Sequence, residues 1–157
     1  MNVKFLKATE KKKLLEELEK IYGITNLPYL LFETGKKKIR GFTGDLTKGE
    51  LIKLGKTINI ELIGIYLISK KDTDPRINFD ALSLLKNQIT KNIIEINEQE
   101  FDNWRRGADL DIKKQKGTLI PKHKDDLVGI GKSNGDKIFN YLPKERTIKR
   151  FYKNYST

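Results

Sequence analysis

The residues of this chain best equipped for chemistry are cations grouped around a glycine. Arg105 and Arg106 directly precede Gly107, and Lys122, Lys124, Lys132, Lys144 and Arg146 follow downstream. A guanidinium is planar and grips a phosphate or carboxylate through paired hydrogen bonds, and lysine adds a mobile point charge. Two other chemistries compete for the same region. Asp109, Asp111, Asp125 and Asp126 are enough carboxylates for a metal-dependent nuclease if the fold gathers them, although aspartates at such places also serve as turn and capping residues, which is the expectation here. Gly131-Lys132-Ser133 imitates the end of a phosphate-binding loop, but the first glycine of that motif falls on Asp126 and the turn signal Asn134-Gly135 follows at once, so nucleotide binding is not expected. His123 is the only histidine and cysteine is absent. A histidine-rich metal site, a thiolate site, a disulfide and a cysteine nucleophile are therefore excluded, and no metal or cofactor is expected. His123 itself reads as a solvated residue at a strand end.

The elements that must position these cations can be read from spacing. Asn97 and Glu100 form a capping-box pair, Phe101 and Trp104 then share one helix face, and Gly107 ends the helix with the arginines in its last turn. Trp104 is expected in the core beside Phe101. Strands are predicted over Gly117 to His123 and Leu127 to Gly131. The turn Ser133-Asn134-Gly135-Asp136 leads into a third, Lys137 to Leu142, which Pro143 stops. Alternation places Ile138 and Asn140 on one face of that strand and Phe139 and Tyr141 on the other. Phe139, Tyr141 and Tyr152 lie among Lys137, Lys144, Lys149, Arg150 and Lys153, an interleaving that suits stacking of unpaired bases beside phosphate contacts.

Upstream, Thr9 is expected to cap a helix carrying Leu14, Leu15, Leu18, Ile21 and Tyr22, closed by Gly23. Residues 28–33 and 38–42 read as a hairpin around Thr34-Gly35-Lys36. Thr47 and Glu50 open a second helix, for which Gly55 is the predicted stop. Ile60 to Ile68, the most apolar run, is predicted as a central strand buried on both faces, with Gly64 marking a bulge or a close backbone approach. Residues 76–90 fit both strand and helix periods. The predicted modules are residues 1–90 and 91–157, the second opening with a strand from Asn92 to Asn97.

The chain has 157 residues with 32 Lys and Arg against 21 Asp and Glu, a net charge of +11 and a pI near 9.7. Both modules share the excess, at 17 basic against 11 acidic residues in 1–90 and 15 against 10 in 91–157. Such a balance favours polyanionic partners, since bound cations release the counterions condensed on nucleic acid. Apolar runs are too short to span a membrane, and neither a signal segment nor a basic amphipathic helix is evident, so a cytoplasmic protein with no membrane partner is expected.

The run WRRGADL, a strand pair containing LVGIGKS, and the ending KIFNYLPKER resemble the C-terminal PUA-type domain of the Sun/RsmF RNA cytosine methyltransferases. The resemblance implies that RNA lies against the short helix, the glycine-bearing loop after it and the end of the last strand, at Arg105, Arg106, Gly107, Asp109, Lys132, Asn140, Tyr141 and Lys144. Lys122, Lys124 and Arg146 complete the basic edge. The chain departs from those enzymes in having neither a glycine-rich cofactor-binding unit nor a cysteine nucleophile. Its first half resembles the module that precedes the PUA domain in small ribosome-assembly proteins. The expected fold is therefore α+β, an N-terminal α/β pre-PUA-like module packed on a C-terminal PUA-like mixed β-barrel with a short helix. The expected function is non-catalytic binding of structured RNA, rRNA or tRNA, in RNA modification or ribosome biogenesis, beside an RNA-modifying enzyme or assembly factor. The alternative is a protein-interaction adaptor for such an enzyme or factor, and a third is the nuclease.

Overall fold

A computed structural model of the chain describes residues 3–58 and 63–148. The chain divides into two units, Met1–Lys91 and Asn92–Thr157.

The first unit is built on an antiparallel sheet of β1 (Lys4–Phe5), β2 (Leu30–Thr34), β3 (Lys38–Phe42), β4 (Ile65–Ser69) and β5 (Arg76–Ile77), paired in sequence order. Helix α1 (Ala8–Tyr22) buries Leu14, Leu18 and Tyr22, a stripe at the spacing of one helix face. Its cap is Lys7, not Thr9. The Glu10 carboxylate accepts the Lys7 N–H at 2.8 Å, which places Thr9 inside the first turn. Gly23 closes α1 in the left-handed conformation, as its position predicts. Helix α2 (Lys48–Thr57) begins with the expected reciprocal pair, Thr47 N–H to Glu50 at 2.7 Å and Glu50 N–H to Thr47 Oγ1 at 3.3 Å. It runs through Gly55, which is not among the positive-φ glycines and so takes no terminating left-handed turn. An isolated glycine inside a helix costs only about 1 kcal/mol.

The apolar run enters the sheet only at Ile65, and Ile60 to Leu62 lie outside the described residues. β4 occupies an interior position with Leu67 and Ile68 fully buried, yet Ile65 is 43% exposed, so burial on both faces fails at its first residue. Gly64 shows the close approach expected of it. A Cβ there would lie 2.6 Å from the Gly41 carbonyl oxygen, and the β3–β4 register shifts between Ile39 and Arg40. Both periods seen in residues 76–90 are used in succession: β5, a 3₁₀ turn at Phe79–Ala81, then α3 (Leu82–Leu85).

The second unit comprises β6 (Ile93–Glu95), α4 (Glu98–Arg105), β7 (Gly117–His123), β8 (Asp126–Leu127), β9 (Gly131–Ser133), β10 (Ile138–Asn140) and a 3₁₀ turn at Lys144–Arg146. The sheet runs β10-β9-β7-β6 with β8 added to β7, and β6 lies parallel to β7. This corrects the expected barrel. The path has two ends, and the outer side of β10 carries one isolated bridge, Ile138 to Leu110, instead of the strand that closure requires. The predicted strand from Leu127 to Gly131 is split into β8 and β9 because Gly129 between them takes φ +147°. Ile94, Ile96, Trp104, Leu110, Leu119 and Ile138 form the core of this unit, with Phe101, Ile112 and Val128 packed on it. Among the described residues no helix is long and apolar enough to cross a membrane.

Candidate nucleic-acid interface

The start of α4 is pinned by Asn97 and Glu100, each accepting the other's backbone N–H at 2.8 Å. That fixes which residue reaches the last turn facing inward, and it is Trp104, fully buried with its indole N–H donating to the Val128 carbonyl at 2.9 Å. Two glycines make the seat. A Cβ at Gly129 would lie 2.9 Å from Trp104 Nε1, and one at Gly131 would lie 2.9 Å from Cη2 of the same ring. The Gly-Ile-Gly segment therefore admits an indole against the strand, and Gly131, the glycine of the phosphate-loop-like Gly131-Lys132-Ser133, serves this packing.

With Trp104 inward, Arg105 and Arg106 emerge at the rim, where Asp102 organises both. Arg105 Nη2 lies 2.6 Å from Asp102 Oδ1 and Arg106 Nε 2.9 Å from Oδ2. Hydrogen bonds from Arg106 and then Arg105 hold the Asp102 carboxyl down at about 2, below its ordinary 3.8. Asp102 was not singled out from the sequence, although its i,i+3 and i,i+4 spacing to the arginines is a readable signal. The bonds use Nε and Nη2 of each guanidinium and leave Nη1 outside them, so the pair is oriented with donor capacity in reserve. A carboxylate with a lowered folded-state pKa contributes stability above its unfolded pKa and loses it as pH falls through the folded value. We expect carbon-detected NMR to place the Asp102 midpoint near pH 2 and Arg106→Gln to raise it. A midpoint near 3.8 in the unsubstituted protein would rule out the pairing.

Beyond α4 the chain turns on Gly107 at φ +90° and returns beside β10. Asp109 accepts the Asn140 backbone N–H at 2.8 Å and the Lys137 ammonium at 3.3 Å. The Asn140 amide donates to the carbonyls of Trp104 at 2.8 Å and Ala108 at 3.0 Å, and its oxygen accepts the Leu142 N–H at 2.8 Å. These bonds end β10 earlier than the predicted Leu142. The Ile148 N–H then donates to the Arg105 carbonyl at 2.8 Å, and a Cβ on Gly107 would lie 3.2 Å from Thr147 Cγ2. The end of the helix and the segment after the last strand are thus neighbours. Arg105, Arg106, Gly107, Asp109, Asn140, Tyr141, Lys144 and Arg146 share this neighbourhood, with Tyr141 38% exposed and Lys144 and Arg146 in the exposed 3₁₀ turn.

Three predicted cations lie elsewhere. Lys122 pairs with Glu95 at 3.1 Å and Lys124 approaches Glu98 at 3.8 Å, both near the opposite end of α4. Lys132 stands opposite Phe139 and Thr118 in register, on the sheet face that alternates with buried Ile138. His123 is not solvated. Its ring stacks on Phe101 at 4.1 Å, bonds Glu98 at 2.9 Å and keeps only 11% of its side chain exposed, because the half-buried phenyl offers it a flat apolar partner. Among the described residues no three His, Cys, Asp or Glu side chains gather as a metal site. Tyr152, Lys149, Arg150 and Lys153 lie outside the described residues.

Residues 91–148 match the family model of the methyltransferase RsmF PUA domain. The matched segment contains the whole neighbourhood at the end of α4 and establishes a PUA-like domain resembling the C-terminal domain of the Sun/RsmF methyltransferases. A PUA domain is an RNA-binding module, so RNA binding in a general sense follows. No curated protein matches the chain.

Proposed function

We propose, with the PUA-like domain at residues 91–148 as the premise, that the protein is a non-catalytic binder of structured RNA, rRNA or tRNA, acting in RNA modification or ribosome biogenesis. The observation that carries this reading is the convergence of an oriented arginine pair, a left-handed glycine and the exposed turn after β10 inside the family match. Arg105, Arg106, Lys144 and Arg146 contact phosphate, Tyr141 offers a face to an unpaired base, and Gly107 lets the RNA backbone approach. Asp109 and Asn140 act as positioning residues, since their polar atoms tie the two segments together. Lys122, Lys124 and Lys132 add long-range field instead of direct contacts. The first unit serves as a pre-PUA-like module.

Mobility-shift titrations of rRNA and tRNA at several salt concentrations test the proposal. Binding that weakens linearly in log–log salt coordinates, with a slope of about −0.7 to −0.9 per phosphate contact, is expected. Absence of binding at low salt would overturn it. A second reading, a protein-interaction adaptor for a separate RNA methyltransferase or assembly factor, is supported by the exposed apolar residues on and beside α2, Ile52 at 43%, Leu54 at 38% and Ile58 at 53%. Co-purification of a methyltransferase that survives nuclease treatment would favour that reading.

A further inference from the structure

We infer that the first unit carries its own phosphate-contacting surface for RNA, at the end of its sheet where the β2–β3 hairpin meets the end of β4. The inference rests on the RNA-binding reading and adds a site within residues 1–91, outside the family match.

Two lysine runs distant in sequence are brought together there. Lys36, Lys37 and Lys38 form the hairpin tip and the start of β3, and Lys70 and Lys71 follow β4. The two runs are joined by the Lys38–Ser69 pairing and by a bond from the Lys70 N–H to the Lys37 carbonyl at 2.9 Å. Lys36, Lys37, Lys70 and Lys71 are all exposed. Among the described residues none of these five lysines forms an ion pair, and Asp72, next along the chain from Lys71, is paired with Arg76 at 3.5 Å. Like charges held this close repel one another, so the cluster favours a polyanion that neutralises it.

The backbone adds an independent observation. Lys36 and Lys37 take φ +60° and +56°, a region disfavoured for residues bearing a Cβ and natural to Asn and Gly. Gly35, adjacent, is not in that region and has open space where a Cβ would stand. The tip therefore keeps lysine at the two positions where a turn-forming residue is conformationally cheaper, the pattern of strain retained for function. Alongside, Tyr66 carries Lys38 Nζ at 5.0 Å and the Arg40 guanidinium at 5.8 Å from its ring centre, and Arg40 is anchored to the Gly64 carbonyl at 3.1 Å. Tyr66 thus gathers two further cations on the strands beside the tip, where they extend the positive surface offered to a phosphate backbone.

The deciding variant is Lys36→Asn with Lys37→Gly in the full chain, because stability and binding are expected to move in opposite directions. The thermal midpoint should hold or rise, the affinity for bulk tRNA or rRNA should fall by about tenfold, and the salt slope should shrink by about 1 to 2, the loss of two phosphate contacts. The comparison is Lys12→Gln with Lys13→Gln on exposed α1 positions, which removes the same charge and should change neither quantity appreciably. Should the tip variant lower the thermal midpoint, Lys70→Gln with Lys71→Gln decides, since neither position has a left-handed backbone. Unchanged affinity and slope in the deciding variant, or losses equal to those of the α1 variant, overturn the inference while the unsubstituted chain still binds. No binding by the unsubstituted chain overturns the RNA reading instead.

Discussion

Reversing Arg105, Arg106 and Lys144 to glutamate is expected to weaken binding of structured RNA on the order of a hundredfold at moderate salt and to reduce the salt slope by about 2 to 3, because three phosphate contacts are lost. The geometry makes this effect local. Asp102 orients both guanidiniums and the Asn140 amide ties the helix end to the last strand, so the cations are presented as a set. The matched comparison reverses Lys12, Lys13 and Lys20, exposed on α1 and carrying the same total charge. Equal losses in the two variants, both folded by circular dichroism, would mean that binding is diffuse electrostatics and that the end of α4 is not the site. Because reversal adds negative charge at a helix C-terminus beside Asp102, the neutral set Arg105→Gln, Arg106→Gln and Lys144→Gln separates lost contacts from a weakened helix. It should retain most of the drop in slope.

Trp104→Ala is expected to destabilise the second unit by about 3–5 kcal/mol, the range for removing a buried aromatic side chain from a core. Such a loss is comparable to the whole stability of a small unit. The indole is fully buried, bonds the Val128 carbonyl and fills the space left by Gly129 and Gly131. Gly131→Ala tests the same seat from the other side. Its Cβ would meet Ile138 Cγ2 at 2.6 Å and the Phe139 carbonyl oxygen at 2.7 Å, and overpacking of this kind costs about 1–3 kcal/mol. Since Trp104 is the only tryptophan, its fluorescence during urea unfolding of Gly131→Ala reports on this unit alone. A urea midpoint unchanged in both variants would contradict the packing described.

Much of this architecture was legible because it depends on short-range chemistry. The reciprocal caps at Asn97 with Glu100 and at Thr47 with Glu50, the closing glycines Gly23 and Gly107, and the turn at Asn134-Gly135 all follow from side chains satisfying nearby backbone groups. Local chemistry also misleads when two local solutions compete. Lys7 displaced Thr9 as a cap because Glu10 reaches the earlier N–H, and Gly55 did not stop α2 because the helix continued to gain hydrogen bonds through Ile58.

The amino-acid sequence by itself determined a basic chain with a helix ending in two arginines, strands after it and no cysteine or histidine pair. It also carried the resemblance of its last part to a PUA domain, because motif order survives without coordinates. Only the tertiary structure decided which cations form one surface. Lys122 and Lys124 were drawn to Glu95 and Glu98, and Lys132 was turned to the other sheet face by strand alternation. Lys36 to Lys38 met Lys70 and Lys71 through a strand pairing invisible in either run. It also converted Asp109 and Asn140 into ties between helix and strand, and stacked His123 on Phe101. The physical reason is common to all of these. Hydrogen bonds and ion pairs between residues tens of positions apart depend on register and facing, and those are set only when the strands of each unit pair and pack on their core.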